Sequence, residues 1–545
     1  MPTSADAPTR LFTNATVLDP QPRPPAHDSV AVAGGRIVAV GDRSTAAAAL
    51  PSDHDVINLG RRPLVPGFVD AHLHPLPMCF FEHQLDLSTC ASLDEVFSLL
   101  ADRAANEPAD GWVVGLRVDD EGLAERRLPT RMELDQVASG RAVVLMRRDG
   151  HHAIGSSRAL AAAGFDPTTP DPPGGKIHRA VDGSLSGLCG EAAAQALLAT
   201  VPLPNWDAFE AALDRVVAQW FRNGITGISA MCQTSGEGPA GEAGALEHAA
   251  WAGLLDRVPL DVQTILIATG AAQVRELREG PMHRPEEGRR LDAVKLFLDG
   301  TLGGRTACLH RPYADGDGGH DDHGMLTLPT DRAYAQLVDA HTAGFQVCVH
   351  AIGDRANRTA AELFKRLLRE HPGPHRHRIE HASVLDDETI ALLAALDVCT
   401  VVQPISLESE SAWLAKRLGD DRVDRVYPFR ALLDAGVTVA GSSDAPIESG
   451  DVLVAMDCAV QRRGTGAHHA LTAIEALALY TQGAARVRQV EDVAGTIAAG
   501  YQADLTVLSA DPRDGFAGVE VQATYTGGME RFRSPALTGA EPSRP

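Results

Sequence analysis

Four short apolar runs in this chain each end in side chains able to bind a metal ion. They are Phe68-Val-Asp-Ala-His72-Leu-His74, Val347-Cys-Val-His350, His377-Arg-Ile-Glu-His381 and Val439-Ala-Gly-Ser-Ser-Asp444. A fifth run, Ala293-Val-Lys295-Leu-Phe-Leu298, carries a lysine in the same setting. Side chains alternate across a strand, so His72 and His74 share a face and can hold one ion together. On this reading His72, His74 and Asp444 fit one divalent cation, and His350 and His381 a second. A lysine kept dry, as Lys295 would be, has a lowered pKa and a nucleophilic amine. That amine can add CO2, and the resulting carbamate can bridge two cations. Ions about 3.5–4 Å apart share a water and bring its pKa toward about 7. The activated water attacks a carbonyl or amidine carbon. Asp444 takes its proton and passes it to the leaving nitrogen, while the metal stabilises the oxyanion.

Each run also has a plainer reading when taken alone. Among 21 histidines some His-x-His pairs arise by chance. His350 and His381 could be hydrogen-bonded core histidines, Asp444 could cap a turn, and Lys295 could pair with Asp299 or Glu380. What separates the two readings is position. Eight strand candidates follow in order: Gly67–His72, Gly227–Met231, Leu260–Ala268, Ala293–Leu298, Gln346–His350, Arg376–Glu380, Val398–Gln403 and Val437–Gly441. The metal-type residues fall on the first, fourth, fifth, sixth and eighth. Helical stretches such as Asp354–Glu370 and Asp386–Leu396 lie between strands. Alternating β and α units of this number predict an α/β fold, a (β/α)8 TIM barrel with its site at the strand ends.

The remainder is read as additions to that barrel. Short strand patterns in residues 11–64, with a hairpin turn at Gly34-Gly35, are answered by Gly495-Thr-Ile, Ala503–Leu508 and Val519–Tyr525. We therefore expect a composite β-sandwich built from both chain ends. The interval after strand 1 is too long for a βα loop. It predicts an α+β insertion with helices at Leu93–Glu107, Glu191–Thr200 and Asp207–Asn223, and strands at Gly111–Val118 and Ala142–Met146. The expected divisions are 1–64 (first part of the sandwich), 65–79 (strand 1 and its metal motif), 80–220 (insertion), 221–488 (rest of the barrel) and 489–545 (second part of the sandwich and tail).

The formal charge of −23 argues against nucleic acid or anionic membrane as partner. No apolar run reaches membrane-spanning length, and Met1–Arg10 lacks the pattern of a secretory signal. Eight scattered cysteines without a CxxC pair suggest free thiols in a reduced, cytoplasmic setting. The chain has only four lysines, and Lys295 is the one placed inside an apolar strand pattern.

The chain resembles the amidohydrolase superfamily, in its family 3 (YtcJ-like) branch. The resemblance rests on Val65-Pro-Gly-Phe-Val-Asp-Ala-His-Leu-His74, Val294-Lys-Leu-Phe-Leu-Asp-Gly-Thr-Leu-Gly-Gly-Arg-Thr-Ala307, His350-Ala-Ile-Gly-Asp354, Arg378-Ile-Glu-His381, Gly441-Ser-Ser-Asp-Ala-Pro446 and the Gly495…Gly500…Ala503-Asp504 stretch. It covers nearly the whole chain. It implies a (β/α)8 barrel with a composite sandwich, a divalent metal that is usually zinc, one or two ions, and hydrolysis of C–N bonds. It carries His72, His74, Lys295, His350, His381 and Asp444 over as metal or catalytic positions, and leaves the carbamate on Lys295 open.

The insertion matches the branch as well, through Asp149-Gly-His151-His-Ala-Ile-Gly-Ser156 and Gly174-Gly175…Glu191. Here Ile154 stands where tryptophan is common, Ser156 where asparagine is, and Ala180 where aspartate is. These departures bear on the substrate rather than on the metal. His151 and Arg305 are candidate substrate contacts, each with a loop-anchoring role as the alternative. Gln403 ends strand 7 and is a candidate for the pocket wall, where a turn role would also suffice.

The leading expectation is a metal-dependent amidohydrolase acting on a small amide, such as an N-substituted formamide or an N-acyl compound. Its rival within the class is hydrolytic deamination or ring opening of a nitrogen heterocycle. The rival outside it is a non-catalytic scaffold homologue. The partners expected are a small-molecule substrate and a second copy in a homodimer.

Overall fold

Strands that are buried on both faces are mainly apolar, and most of the eight barrel strands have that character, although Arg378-Ile-Glu-His381 and the start of Arg289–Phe297 carry charge. In the computed structural model they are strand 1 (Phe68–Leu73), 2 (Ile225–Gln233), 3 (Asp261–Ile267), 4 (Arg289–Phe297), 5 (Gln346–Ala351), 6 (Arg378–His381), 7 (Cys399–Val402) and 8 (Val439–Gly441). Each pairs in parallel with its sequence neighbour, giving one eight-stranded sheet. The sheet is a nearly closed barrel. At the seam Asp444 N donates to His72 O at 2.9 Å and His74 N to Ala445 O at 2.8 Å. The structure describes residues 8–19, 27–82, 84–108, 110–148, 150, 152–173, 175–236, 244–268, 270–315, 322–463 and 466–537.

Helices cover the barrel by burying one stripe each. In Asp354–Glu370 the buried set is Asp354, Ala356, Asn357, Ala360, Ala361, Phe364 and Leu367, the spacing of a single helix face. Trp206–Arg222 starts at Asn205, whose side chain accepts from Ala208 N, and it buries Trp220 and Phe221 against the barrel. Gly67 enters strand 1 because nothing larger fits: a Cβ there would lie 2.2 Å from Thr226 Oγ1.

Two further sheets draw on the chain ends. A four-stranded sheet runs in the order Arg36–Gly41, Ser29–Ala33, Arg10–Thr13, Asp55–Asn58. Its hairpin turn holds Gly34 and Gly35 at φ 57° and 77°, a conformation glycine adopts without strain. A five-stranded sheet runs Thr16–Val17, Pro63–Pro66, Leu505–Leu508, Val521–Thr526, Met529–Arg533. Residues from both ends, among them Phe12, Ile57, Leu64, Leu505 and Tyr525, share one apolar cluster. The expected strand at Gly495-Thr-Ile is absent. Gly495 has φ 82°, and Ile497 N donates to a carboxylate oxygen of Asp19 at 2.7 Å, so this segment is a tied turn.

The segment after strand 1 contains more sheet than its sequence suggested. Its six strands run Gly175–Arg179, Leu185–Glu191, His152–Gly155, Ala142–Arg147, Trp112–Val118, Leu85–Asp86. The strands not anticipated are short and interrupted by glycine or charge, which hides their alternation. All eight cysteines are free. Among the described residues no helix is long and apolar enough to cross a membrane.

Candidate metal centre

The two histidines after strand 1 meet one carboxylate oxygen after strand 8. His72 Nε2 lies 3.3 Å and His74 Nε2 3.2 Å from Asp444 Oδ1. Ligand atoms arranged tetrahedrally about 2.0–2.1 Å from a central ion stand about 3.3–3.4 Å apart. The spacing therefore suits a divalent cation, and the three ligand atoms fall within 4.8 Å of one another. Asp444 has φ 58°, outside the strand region, which turns its side chain across the seam.

The other sequence candidates gather around this group. The His381 ring centroid is 5.1 Å from that of His72 and 4.4 Å from that of His350. Strict alternation would send Glu380 and His381 to opposite faces, but His381 has φ 74°, and its ring is brought round to the cavity. Lys295 is buried, with Nζ 5.0 Å over the Phe297 ring. Among the described residues it forms no ion pair. The two carboxylates considered for it are engaged elsewhere: Asp299 accepts from the backbone N–H of Cys308, Ile352 and Gly353, and Glu380 is bound by His72 and Arg378.

Hydrogen bonds fix which ring nitrogen faces inward. Glu380 Oε2 lies 2.6 Å from His72 Nδ1, and Gln403 Oε1 lies 2.9 Å from His381 Nδ1. Both oxygens only accept, so Nδ1 carries the proton and the Nε2 lone pair is left for a ligand. His350 shows the opposite sense, with Nε2 3.2 Å from Gly300 O. Gln403 is fixed in turn by donating to Ser442 Oγ at 2.9 Å. Beneath the site, Asp70 accepts from Ser443 N at 3.1 Å and Ser443 Oγ at 2.5 Å, tying strand 1 to the strand 8 turn. Burial pushes the Asp70 carboxyl up to about 6.

Charge follows the same geometry. Burial and the nearby Lys295 cation hold His72 and His381 well below the ordinary histidine range. Burial also lowers Lys295, against the opposing pull of Glu380 and Asp444. Asp444 is the reverse case: burial raises it, yet His72, His74 and Lys295 leave it below the usual carboxylate range.

These residues open into a cavity of about 630 Å³. Its wall is largely apolar, with Phe80, Phe81, Met146, Phe209, Ile352 and Trp413 among the lining residues. Met146, Arg148 and Leu198 reach it from the insertion. Gln403 lines the cavity; Arg305 does not. Arg305 donates from Nη1 to Asp315 O at 2.8 Å. His151 lies outside the described residues. Ile154 and Ser156 are buried in the insertion, where Ser156 caps helix Ser157–Ala162, and neither lines the cavity. Sequence reasoning missed Glu380 and Asp70 as orienting groups, although both sit on the inward alternation of a strand already named. It also missed Glu247, Glu410 and Glu448 on the wall.

The sequence profile described as "Amidohydrolase family" matches residues 55–526. The chain is 32% identical over 471 residues to the "Putative amidohydrolase YtcJ" of Bacillus subtilis (strain 168), covering 84% of this chain and 85% of that one. It is 28% identical over 545 residues to the "N-substituted formamide deformylase" of Arthrobacter pascens, covering 96% and 98%. Among solved structures, an uncharacterized metal-dependent hydrolase from Pyrococcus furiosus superposes with a TM-score of 0.71 at 26% identity, covering 93% of this chain and all of that one. With a profile match over most of its length, the chain belongs to the amidohydrolase family.

Proposed function

We propose that this protein is a metal-dependent hydrolase that uses water to cleave a C–N bond in a small amide, with N-substituted formamides and N-acyl compounds as the first class to test. The observation that carries the reading is the His72–His74–Asp444 group, three ligand atoms within 4.8 Å of one another at a largely apolar cavity. The Arthrobacter relative's name supports the formamide class. His72, His74 and Asp444 would hold one cation, with zinc the expected metal; His350, His381 and Lys295 would complete that site or a second. Bound there, a divalent cation would acidify a water and polarise the carbonyl.

The chain's own groups supply the rest. Asp444, kept ionised, accepts the proton that water gives up as its oxygen bonds to the carbonyl carbon. It then delivers that proton to the nitrogen as the C–N bond breaks, so amide and water become acid and amine. Glu380 and Gln403 keep the His72 and His381 rings in register. Lys295, lowered by burial, is the amine able to add CO2 as a carbamate and so supply a further carboxylate. The apolar wall takes the substituent and excludes bulk water. In the same reading the sheets from the two chain ends form a composite sandwich, and the insertion covers the barrel mouth.

The test is amine release by zinc-loaded protein from a panel of formamides, N-acyl amines, lactams and nitrogen heterocycles. Formamide or N-acyl turnover supports the reading. Ammonia release or ring opening confined to the heterocycles would replace it with the deaminase or ring-opening alternative, and an inert panel with metal bound would reject it.

A further inference from the structure

We propose that the polar part of the cavity wall recognises a cationic group, an alkylammonium on the substrate's substituent, through the Glu410 carboxylate. This rests on the reading of the cavity as the substrate site and adds a substrate class to it.

The argument begins with one helix face. In helix Ser406–Leu418, Leu407, Leu414 and Leu418 are buried in the core. Ser406, Ser409, Glu410 and Trp413, at the spacing of a different stripe, line the cavity. One Glu410 oxygen accepts from the Tyr427 hydroxyl at 2.6 Å, and among the described residues the carboxyl makes no other hydrogen bond.

Among the described residues no cation forms an ion pair with it, and the nearby Arg148 is paired elsewhere. Arg148 is shared between Asp119 at 3.3 Å and Glu448 at 3.2 Å, and Glu448 also accepts from Ser409 Oγ. Arg147 is bound to Asp120 at 2.7 Å. The two basic residues of Glu410's own helix are committed elsewhere, Lys416 to Glu121 and Arg417 to Asp315. Glu410, Glu448 and Asp119 thus face a single guanidinium. Burial, opposed by the Tyr427 hydroxyl and reinforced by Glu448, pushes the Glu410 carboxyl up to about 8. A ligand cation would supply a counter-charge, and the aromatic side chains of Trp413 and Tyr427 line the same cavity.

The experiment is calorimetric binding to the zinc-loaded full chain at pH 8, with hexylammonium, hexan-1-ol and hexanoate as probes of equal chain length. Wild type should bind hexylammonium about ten- to hundredfold more tightly than hexan-1-ol, and hexanoate most weakly. Glu410→Gln should abolish the preference while leaving hexan-1-ol binding unchanged, and Glu410→Asp should retain part of it. Equal affinity for hexylammonium and hexan-1-ol, or tighter binding of hexanoate, would overturn the proposal on wild type alone. So would a preference that persists in a folded Glu410→Gln. Because binding is read without turnover, an ammonium preference in a protein inert toward every amide would reject the hydrolase reading and keep this one.

Discussion

At the strand ends, six side chains from strands far apart in the sequence line one cavity, three of them with ligand atoms within 4.8 Å of one another; along the wall, the functional groups come from a helix, the strand 8 turn and the insertion. The two regions differ in how they treat charge. The strand-end residues are over-determined: His72 is held by Glu380, Glu380 by Arg378, and Arg378 donates to Ala71 O at 3.1 Å across the barrel. Among the described residues the wall leaves Glu410 with one hydrogen-bond partner and no ion pair of its own, Arg148 being paired with Asp119 and Glu448. A rigid polar network suits chemistry that is the same in every turnover. A carboxyl without an ion pair on a cavity wall suits a ligand that brings its own charge.

This contrast can be broken by substitution. The largest effect should come at the strand ends, where Asp444→Asn should lower kcat about 10²–10⁴-fold on the amide that the panel identifies. Steady-state kinetics check this, and near-normal turnover would remove Asp444 from proton transfer. Glu380→Gln should cost about 10–100-fold in metal affinity or activity, since it loosens His72 without removing a ligand. Metal titration followed by atomic emission reads that loss, and unchanged affinity would make Glu380 merely structural.

The wall should respond through stability. The Glu410 carboxyl is raised from its ordinary value to about 8 in the fold, so the folded state holds a proton that the unfolded state releases. Its contribution therefore declines as pH rises from about 4.5 to about 8 and is flat above. Glu410→Gln removes that decline, and its Tm relative to wild type should rise by about 1–3 °C between pH 5 and pH 8. A constant difference across that range would contradict the assigned environment, in which Tyr427, Glu448 and Arg148 face the carboxyl. The smallest effect belongs to the exposed link from barrel to insertion: Lys416→Ala, which breaks a 2.9 Å pair with Glu121, should change stability by less than about 1 kcal/mol in denaturant unfolding.

The same division decides what the sequence reveals. Most barrel strands are largely apolar runs, so an Asp, His or Lys within them stands out. The boundaries predicted for strands 1, 5 and 8 lie within two residues of those observed, and the residues at their ends line one cavity. Glu380 is harder to assign, because the sequence equally offers it as an ion-pair partner of Lys295, whereas the structure binds it to His72 and Arg378. The turn of His381 toward the cavity depends on a positive φ that no residue pattern announces. Glu410 lies in a helix with Glu408 two residues before it on a different face, and the sequence alone does not show which of the two faces the cavity. Arg305 followed a strand 4 motif and so drew attention, yet its loop turns it to Asp315.

The central claim is that His72, His74 and Asp444 hold a cation required for hydrolysis. It is tested most directly by measuring amide turnover and bound metal together, on the same sample, before chelation, after chelation and after zinc is restored. The account predicts that activity and metal disappear together and return together, and that His72→Ala recovers neither. Full amide turnover in protein shown to be free of metal would contradict it.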